Sequence, residues 1–229
     1  MPTSPINHVA GGKWRNAHPE VTRQRILDAA RTLFARQGYE RTSIQDIINE
    51  LGDLSKGAIY HHFPSKAAIL YALTEVDTAR VNATLPLDDD SLNGLQKIQH
   101  WLLANATDQE HMLLMRDAFP LLNDPKMLSE NLKYWRTTNA DMFRQCIEDG
   151  ITDGSITTQY PREAAELLAL LSNYWLPATT AELKHRIRCL LTMLAAIGLP
   201  LFDPDSPEID ALAKGIAMLN AKPEHIAEP

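Results

Sequence analysis

The chain contains few of the residues from which covalent and catalytic sites are commonly built. Its 229 residues include only two cysteines, Cys146 and Cys189, in no motif spacing. We therefore expect reduced, buried thiols rather than a disulfide or a thiolate metal site. A glycine-rich phosphate loop, a metal-ligand spacing and a nucleophile motif are also missing. These absences weigh against a small helical enzyme, and they predict no catalytic residue, no cofactor and no bound metal.

Long apolar runs are missing as well. No segment approaches the roughly 20 apolar residues that a membrane-spanning helix requires, although hydrophobic residues make up 45% of the chain. The first residues do not resemble a secretory signal, because Pro2, Pro5 and Gly11 interrupt the segment after Met1. We therefore expect a cytoplasmic protein with ample material for a packed core and without a membrane partner.

Helical periodicity is abundant, whereas strand alternation between hairpin turns and internal repeats are not found. The pattern predicts an all-α fold with a small domain at residues 19–66 and a larger helical domain at 67–229. Residues 1–18 are rich in Pro, Gly, Asn and Ser and are predicted to form a flexible arm. Its Lys13, Trp14 and Arg15 are candidates for contact with phosphate, and plain disorder is the alternative.

Two helices open the small domain. The first is predicted at residues 19–37, where apolar residues recur at helical spacing, and Gly38 supplies a left-handed stop. Ser43 and Asp46 match a capping box that begins the second helix. Gly52 ends that helix and starts a short turn into a third.

The third helix, at about residues 55–63, has two different faces. Ser55 is expected to cap it, while Ile59 and Phe63 lie four residues apart and can anchor one side in a core. The other side carries a cation, a phenol, an imidazole and a glycine, which suit phosphates and base edges. Two helices and a glycine turn behind a supporting first helix predict a helix-turn-helix domain.

The net charge of −7 is unevenly distributed along the chain. Residues 11–66 hold nine Lys/Arg and six Asp/Glu, which gives +3, and residues 67–229 carry the remaining −10. A basic end that coincides with the helix-turn-helix favours binding to a phosphate backbone. Chance is the alternative explanation for so small an excess.

Residues 20–73 resemble the N-terminal DNA-binding domain of the TetR (tetracycline-repressor) family. The runs that carry the resemblance are 26–30, 33–39, 42–47 and 55–66, in the family's order. The turn 52–54 is one residue longer than the commonest family pattern, which bears on the angle between the second and third helices. The resemblance implies a homodimeric transcriptional repressor that binds double-stranded operator DNA and is released by a small-molecule effector of unknown identity. A constitutive repressor and a helical protein-interaction module are the alternatives.

The resemblance and the two-faced third helix together predict the residues that contact DNA. They are Thr42, Ser55, Lys56, Gly57, Ala58, Tyr60, His61 and Lys66. Thr42, Tyr60 and Lys66 are assigned to phosphates, and Lys56, Gly57, Ala58 and His61 to base edges. Solvated lysines and a packed tyrosine are the ordinary alternatives. A metal pair at His61 and His62 is disfavoured, because adjacent helix positions diverge by about 100°.

Further helices are predicted at 64–84, 91–106, 109–122, 127–150, 161–178, 182–199 and 208–220. The helices at 161–178 and 182–199 are apolar on more than one face and need cover on two sides. A partner subunit can supply the second cover, as the resemblance implies, whereas burial within the monomer is the alternative. The predicted dimer-interface residues are Leu167, Leu171, Tyr174, Trp175, Leu190, Leu194 and Ile197.

An effector pocket among the middle helices is implied by the resemblance alone. Met and aromatic side chains of that region can line an adaptable pocket, and equally they can be ordinary core residues. The predicted ligand-binding residues are Trp101, Met115, Phe119, Tyr134, Trp135 and Met142, with Met112 and Phe143 in the same region.

Overall fold

The computed structural model describes residues 19–177 and 182–221, and every regular element in these ranges is a helix. The predicted arm at 1–18 lies outside the described residues. The α-helices are α1 Pro19–Gln37, α2 Ile44–Leu51, α3 Lys56–His62, α4 Lys66–Asn82, α5 Gly94–Thr107, α6 Gln109–Ala118, α7 Pro125–Tyr134, α8 Ala140–Asp153, α9 Pro161–Leu170, α10 Leu183–Ala196 and α11 Glu208–Leu219. The predicted all-α fold is confirmed.

The chain divides into two compact units between Ile69 and Leu70. We call the described residues 19–69 the head, and the described residues from 70 onward the body. The sequence placed this boundary three residues earlier, after Lys66, and helix α4 contains both positions. Within the described part of the chain, no helix has the length and apolar character needed to cross a bilayer.

The helices α2 and α3 begin at their predicted capping residues, and α1 and α2 end at their predicted glycines. The Ser43 hydroxyl accepts a hydrogen bond from the Asp46 amide at 3.1 Å, and the Asp46 carboxylate accepts one from the Ser43 amide at 2.7 Å. This completes the predicted capping box of α2. Gly38 and Gly52 follow α1 and α2 with φ of 84° and 74°, a region that favours glycine. The Ser55 hydroxyl accepts from a backbone amide of α3 at 3.2 Å and caps that helix.

Each helix of the head buries an isoleucine completely. Ile26 of α1, Ile47 of α2 and Ile59 of α3 are all 0% exposed. Burial of such a side chain contributes about 1.5–3 kcal/mol relative to exposure. Because α3 has only seven residues, and helices this short do not persist alone in water, packing of Ile59 maintains its helical shape.

The centre of the body is built from α5, α8, α9 and α11. Helix α8 packs against α5 and α9, and α11 packs against α5, α6 and α10. Phe143 and Ile147 of α8 are 0% exposed at this centre. The backbones of α5 and α8 approach closely at Gly94, where an added Cβ atom lies 2.2 Å from the Cys146 carbonyl oxygen and the Gly150 amide nitrogen.

Two helices that the sequence predicts as continuous contain π-helical turns. The predicted helix 127–150 is α7, a π turn at Trp135–Asn139 and α8, while Leu171–Trp175 forms a second π turn after α9. A π turn closes i→i+5 hydrogen bonds, so it adds a residue while the backbone stays helical, and each segment reads as one helix in the sequence. The predicted helix at 109–122 likewise ends in a 3₁₀ turn, Phe119–Asn123.

Gly94→Ala is expected to destabilise the protein by about 1–3 kcal/mol, the usual cost of overpacking. The new methyl group meets backbone atoms of α8, which cannot move without separating the two helices. Urea unfolding followed by circular dichroism measures the loss. His100→Ala, on the exposed side of the same helix, is the control and is expected to change stability by less than about 0.5 kcal/mol. Equal stability of Gly94→Ala and the wild type contradicts the close approach.

Candidate functional site

Helix α3 turns one side to the core of the head and the other side to solvent. Ile59 and Phe63 are 0% and 4% exposed, as expected of the predicted anchors, whereas Tyr60 is 44% exposed. The exposed residues, which we call the α3 face, are Lys56, Gly57, Tyr60 and His61. The Lys56 ammonium lies 5.9 Å from the centre of the Tyr60 ring, so a cation and a phenol stand side by side on this face.

Helix α1 holds both ends of α3 in place. The Arg25 guanidinium lies 2.7 Å from the Asp53 carboxylate in the turn before α3. Their hydrogen bond lowers the pKa of Asp53 and raises the pKa of Arg25. At the other end, the Arg23 guanidinium lies 5.3 Å from the centre of the Phe63 ring. The Arg25–Asp53 pair thus links the turn 52–54, which departs from the common family pattern, to α1, although an exposed pair of this kind contributes little to stability.

Thr42 and Lys66 are engaged within the head. The Lys66 ammonium donates to the Tyr39 carbonyl oxygen at 2.7 Å and lies 4.1 Å from the centre of the Tyr39 ring. Thr42 is 2% exposed, and its hydroxyl donates to the Gly38 carbonyl oxygen at 2.8 Å. The predicted phosphate contact of Thr42 does not fit this position, because its only hydroxyl proton is already used. Both side chains fix the loop between α1 and α2.

The remaining predicted residues of the DNA-contact set differ in exposure. Ser55 is exposed and Ala58 is half-buried, at the start of α3. The rings of His61 and His62 are 5.5 Å apart at an interplanar angle of 74°. Among the residues that the structure describes, no group of three or more His, Cys, Asp or Glu side chains is arranged to hold a metal ion.

The body contains a cavity of about 460 Å³. This volume lies within the range of small-molecule pockets, about 300–1,000 Å³. The predicted ligand-binding residues that line it are Trp101, Met115, Phe119, Tyr134 and Trp135, together with Met112. Met142 does not line it and lies instead in a surface groove beside Leu87. The reason is that α8 turns Phe143 and Ile147 to the core, and the Met142 position falls on the flank of the helix.

Unpaired polar groups that are not among the predicted ligand-binding residues belong to the cavity wall. Asn139 is 1% exposed, and neither its amide nitrogen nor its amide oxygen has a hydrogen-bond partner. The Trp101 indole N–H and the Asn82 amide oxygen are also buried and unpaired, and all three residues line the cavity. A sequence signal existed, since Asn139 falls between Trp135 and Phe143 at four-residue spacing and so places an amide on an apolar stripe.

A buried ionic network ties α4 to the start of α6 beside the cavity. Asp77 is 0% exposed and lies 2.6 Å from the His111 ring nitrogen Nδ1 and 2.7 Å from the Arg80 guanidinium. Arg80 also lies 2.8 Å from Asp108, which caps α6. Burial raises the pKa of Asp77, but hydrogen bonds and charges from His111 and Arg80 outweigh burial and leave that pKa below its ordinary value.

Helices α9 and α10 are apolar on two sides, as the sequence indicates. Two of the residues predicted for the dimer interface, however, lie on the side that faces the protomer core. Leu190 and Leu194 are 3% and 2% exposed and line the cavity, so they belong to the protomer core and not to a dimer interface. The outward side of these helices carries Leu167 and Met193, which are 44% and 46% exposed. Cys189 is also exposed there, contrary to its expected burial.

The other predicted interface residues are partly buried. Leu171, Tyr174 and Trp175 lie in the π turn after α9, and Ile197 follows α10. The Arg186 guanidinium stacks 4.4 Å from the centre of the Trp175 ring. Leu171, Tyr174 and Trp175 follow Leu167 within eight residues, whereas Ile197 lies at the end of α10.

The helix-turn-helix segment matches a family model described as bacterial regulatory proteins, tetR family, over residues 26–73. The HTH-type transcriptional repressor AcnR of Corynebacterium glutamicum is 36% identical over 146 residues, which cover 63% of this chain and 74% of AcnR. The HTH-type transcriptional repressor Rv1474c of Mycobacterium tuberculosis is 38% identical over 110 residues, which are 47% of this chain. The chain spans 55% of the length of that second relative.

The fold is similar to solved structures. A TetR-family transcriptional regulator of Pectobacterium atrosepticum has a TM-score of 0.63 at 24% identity, and the match covers 81% of this chain and 98% of that one. A structure described as a SmeT–triclosan complex has a TM-score of 0.54 at 20% identity and covers 81% and 96% of the two chains. At these identities the likeness establishes the fold.

The buried network predicts a pH dependence of stability. Because the pKa of folded Asp77 lies below its ordinary value of 3.8, its ionised form stabilises the protein above about pH 4, and this contribution is lost as the pH falls through the folded pKa. Asp77→Asn is expected to lower the free energy of unfolding at pH 7 by about 1.5–3 kcal/mol, typical of hydrogen bonds to a charged group. It is also expected to flatten the dependence of stability on pH between about 2 and 5.

Chemical denaturation at a series of pH values measures both effects. Asp88→Asn removes the same charge from an exposed position of the body and is the control. If Asp77→Asn and Asp88→Asn show the same stability and the same pH dependence, the network does not stabilise the body.

Proposed function

Because the chain belongs to the tetR family of bacterial regulatory proteins, we propose that it is a homodimeric transcriptional repressor that binds operator DNA and is released by a small molecule. The observation that carries the proposal is the α3 face, a set of exposed polar side chains on a helix that is fixed from behind by Ile59 and Phe63. Its place of action is the cytoplasm, where bacterial operator DNA lies.

In this proposal α3 enters the major groove of the operator. The groove admits an α-helix, and Lys56 and His61 can donate to acceptor atoms on base edges. Tyr60 donates to a phosphate oxygen. At Gly57 an added Cβ atom meets only the Ser55 hydroxyl, at 3.9 Å, so the space outside the helix is open for the DNA backbone or a base to approach. Ser55 and Ala58 lie at the end of the helix that leads into the groove.

Lys66 and Thr42 receive a different role. Both already donate to backbone carbonyl groups of the loop between α1 and α2. They position the helix-turn-helix, and the direct phosphate contact belongs to Tyr60.

Dimerisation is proposed through the outward side of α9 and α10. Exposed apolar side chains such as Leu167 and Met193 lose their contact with water when two copies pair. The two-fold axis of such a dimer presents two α3 faces, so the operator is expected to be roughly palindromic with half-sites about 34–36 Å apart or a multiple of that distance.

Release by a small molecule is supported by the cavity. A constitutive repressor with a filled core has no need of an open volume of about 460 Å³ in its body. SmeT, whose structure is described as a complex with triclosan, shares this fold. In the proposal, a ligand that binds better to the DNA-free conformation shifts the protein toward it, typically by about 1–3 kcal/mol of coupling.

Substitutions on the α3 face are expected to separate two kinds of DNA contact. Tyr60→Phe weakens binding to operator and scrambled duplexes alike, by about 0.5–1.5 kcal/mol, because a phosphate contact carries no sequence information. His61→Ala weakens operator binding by about 1–3 kcal/mol and leaves scrambled DNA nearly unaffected. Fluorescence anisotropy at one stated salt concentration measures both, with DNA from upstream of the protein's own gene as the first operator source.

Lys126→Ala is the matched control, since it removes a positive charge from an exposed position of the body. It is expected to leave both affinities unchanged. Unaltered operator binding in both α3 variants overturns the assignment of this helix to DNA. Failure of an added ligand from a compound screen to change operator affinity removes the release step and leaves a constitutive repressor.

The double variant Leu167→Glu, Met193→Glu is expected to convert a dimer into a monomer. Two buried carboxylates per subunit, without cationic partners, oppose association strongly. Sedimentation equilibrium at micromolar concentrations measures the assembly. Ile151→Glu introduces the same charge at another apolar position, which is 39% exposed, and is expected to remain dimeric. A wild-type protein that stays monomeric as its concentration rises contradicts the proposed interface.

A further inference from the structure

We infer that the body cavity takes an uncharged, largely apolar molecule with a carboxamide or a similar adjacent donor and acceptor, which pairs with the amide of Asn139. The inference rests on the proposed function, because it names the chemical class of the effector. It also adds an exclusion: anionic molecules are poor ligands of this cavity.

The amide of Asn139 is buried and has no hydrogen-bond partner within the protein. The residue is 1% exposed, lines the cavity, and leaves its amide nitrogen and its amide oxygen without a protein partner. Buried polar side chains in proteins nearly always have a partner, because an unpaired one costs free energy. A group that offers an acceptor and a donor side by side satisfies both atoms at once. Both amide atoms are buried, so a ligand in the cavity reaches them after the Asn139 side chain turns toward it, and the pairing then satisfies both atoms.

The position of Asn139 is specific to an irregular part of the backbone. It is the last residue of the π turn Trp135–Asn139 between α7 and α8. The extra residue of a π turn shifts the side chains that follow relative to a continuous α-helix, and such turns occur frequently at functional sites. The second π turn, Leu171–Trp175, also contributes cavity residues, Ser172 and Asn173.

The charges of the wall exclude an anion. Among the described residues that line the cavity, there is no Lys or Arg, and the ionisable side chains other than tyrosine are Glu75 and His111. The His111 Nδ1 atom is already 2.6 Å from the Asp77 carboxylate. A carboxylate or phosphate buried here has no cation to offset its desolvation. The exposed Glu75 further disfavours a negative charge at the wall.

The apolar residues of the cavity wall favour a ligand whose remaining atoms are apolar. Aromatic rings of Tyr71, Trp101, Phe119 and Trp135 and leucines of α10 surround the volume. Aromatic groups pack well against such rings in offset or edge-to-face arrangements. The buried Trp101 indole N–H adds a donor for a carbonyl oxygen.

Three probes of the same shape test this class: 2-naphthamide, 2-naphthoate and 2-naphthylmethylammonium. They share an apolar ring system and differ in whether the substituent is an uncharged amide, an anion or a cation. Binding to the full-length protein without DNA is measured at pH 7.5 by calorimetry and by quenching of tryptophan fluorescence, since Trp101 and Trp135 line the cavity. The amide is expected to bind at least about 10-fold more tightly than the anionic probe, since a carboxylate buried without a cationic partner is strongly disfavoured. It is also expected to bind more tightly than the cationic probe, because an ammonium has no acceptor for the Asn139 amide N–H groups.

Two variants locate the effect. Asn139→Leu keeps the size of the side chain and removes the unpaired amide, so the free protein is expected to melt at a higher temperature and to lose its preference for the amide probe. Asn105→Leu is the matched control, because Asn105 also lines the cavity but its amide nitrogen donates to the Trp101 carbonyl oxygen at 2.8 Å. It is expected to melt at a lower temperature and to retain the preference.

Several results overturn the inference. They are tighter or equal binding of either charged probe, an amide affinity unaffected by Asn139→Leu, and no binding of any probe at millimolar concentration. A lower melting temperature of the free Asn139→Leu protein also counts against it, because water then satisfies the amide. Operator affinity, measured separately with each probe, tests the proposed function. If a charged probe binds and releases DNA, the proposed release step holds and the inferred ligand class is wrong. If the amide probe binds as expected but does not release DNA, the inferred ligand class holds and the proposed release step is wrong.

Discussion

The burial of Ile59 is the interaction on which the α3 face depends. A helix of seven residues gains too little from its own hydrogen bonds to persist in water, so α3 exists as a helix because its apolar side is packed in the head. The same packing fixes which side faces outward. A cap at Ser55, the Arg25–Asp53 pair and the ring of Phe63 then set its ends. The exposed side carries the groups that are proposed to contact DNA.

In the head the polar groups of α3 are exposed, whereas the body buries a polar group beside its cavity. Its helices pack closely where backbone meets backbone at Gly94, yet they leave an open volume lined by the unpaired amide of Asn139. Both an open volume and an unpaired buried amide lower stability. In a core selected only for stability, the open volume would be filled, and an apolar side chain of similar size would replace the amide. Their presence together supports the proposal that the body binds a small molecule.

Local signals explain what the sequence could predict. Caps, glycine stops and apolar stripes depend on neighbours a few residues away, so the helices of the head and the inward side of α3 follow from the sequence alone. Partners distant in the chain do not. Thr42 and Lys66 look like free polar side chains until the fold brings loop carbonyl groups to them. Leu190 and Leu194 could be placed on a buried side, but spacing alone cannot tell a protomer core from a subunit interface. The amide of Asn139 was visible on an apolar stripe, but its lack of a partner is a property of the packed structure.

Helix α4 runs from the head into the body. Its first residue, Lys66, holds the loop of the head, and its later turns supply Asp77 to the buried network and Tyr71 to the cavity wall. In the proposed switch, a ligand in the cavity acts on the same helix that continues into the head. The effect on DNA is limited by the difference in ligand affinity between the two conformations, and by reciprocity DNA weakens ligand binding by the same factor. A ligand that merely fills the volume equally well in both conformations stabilises the protein without releasing it from its operator.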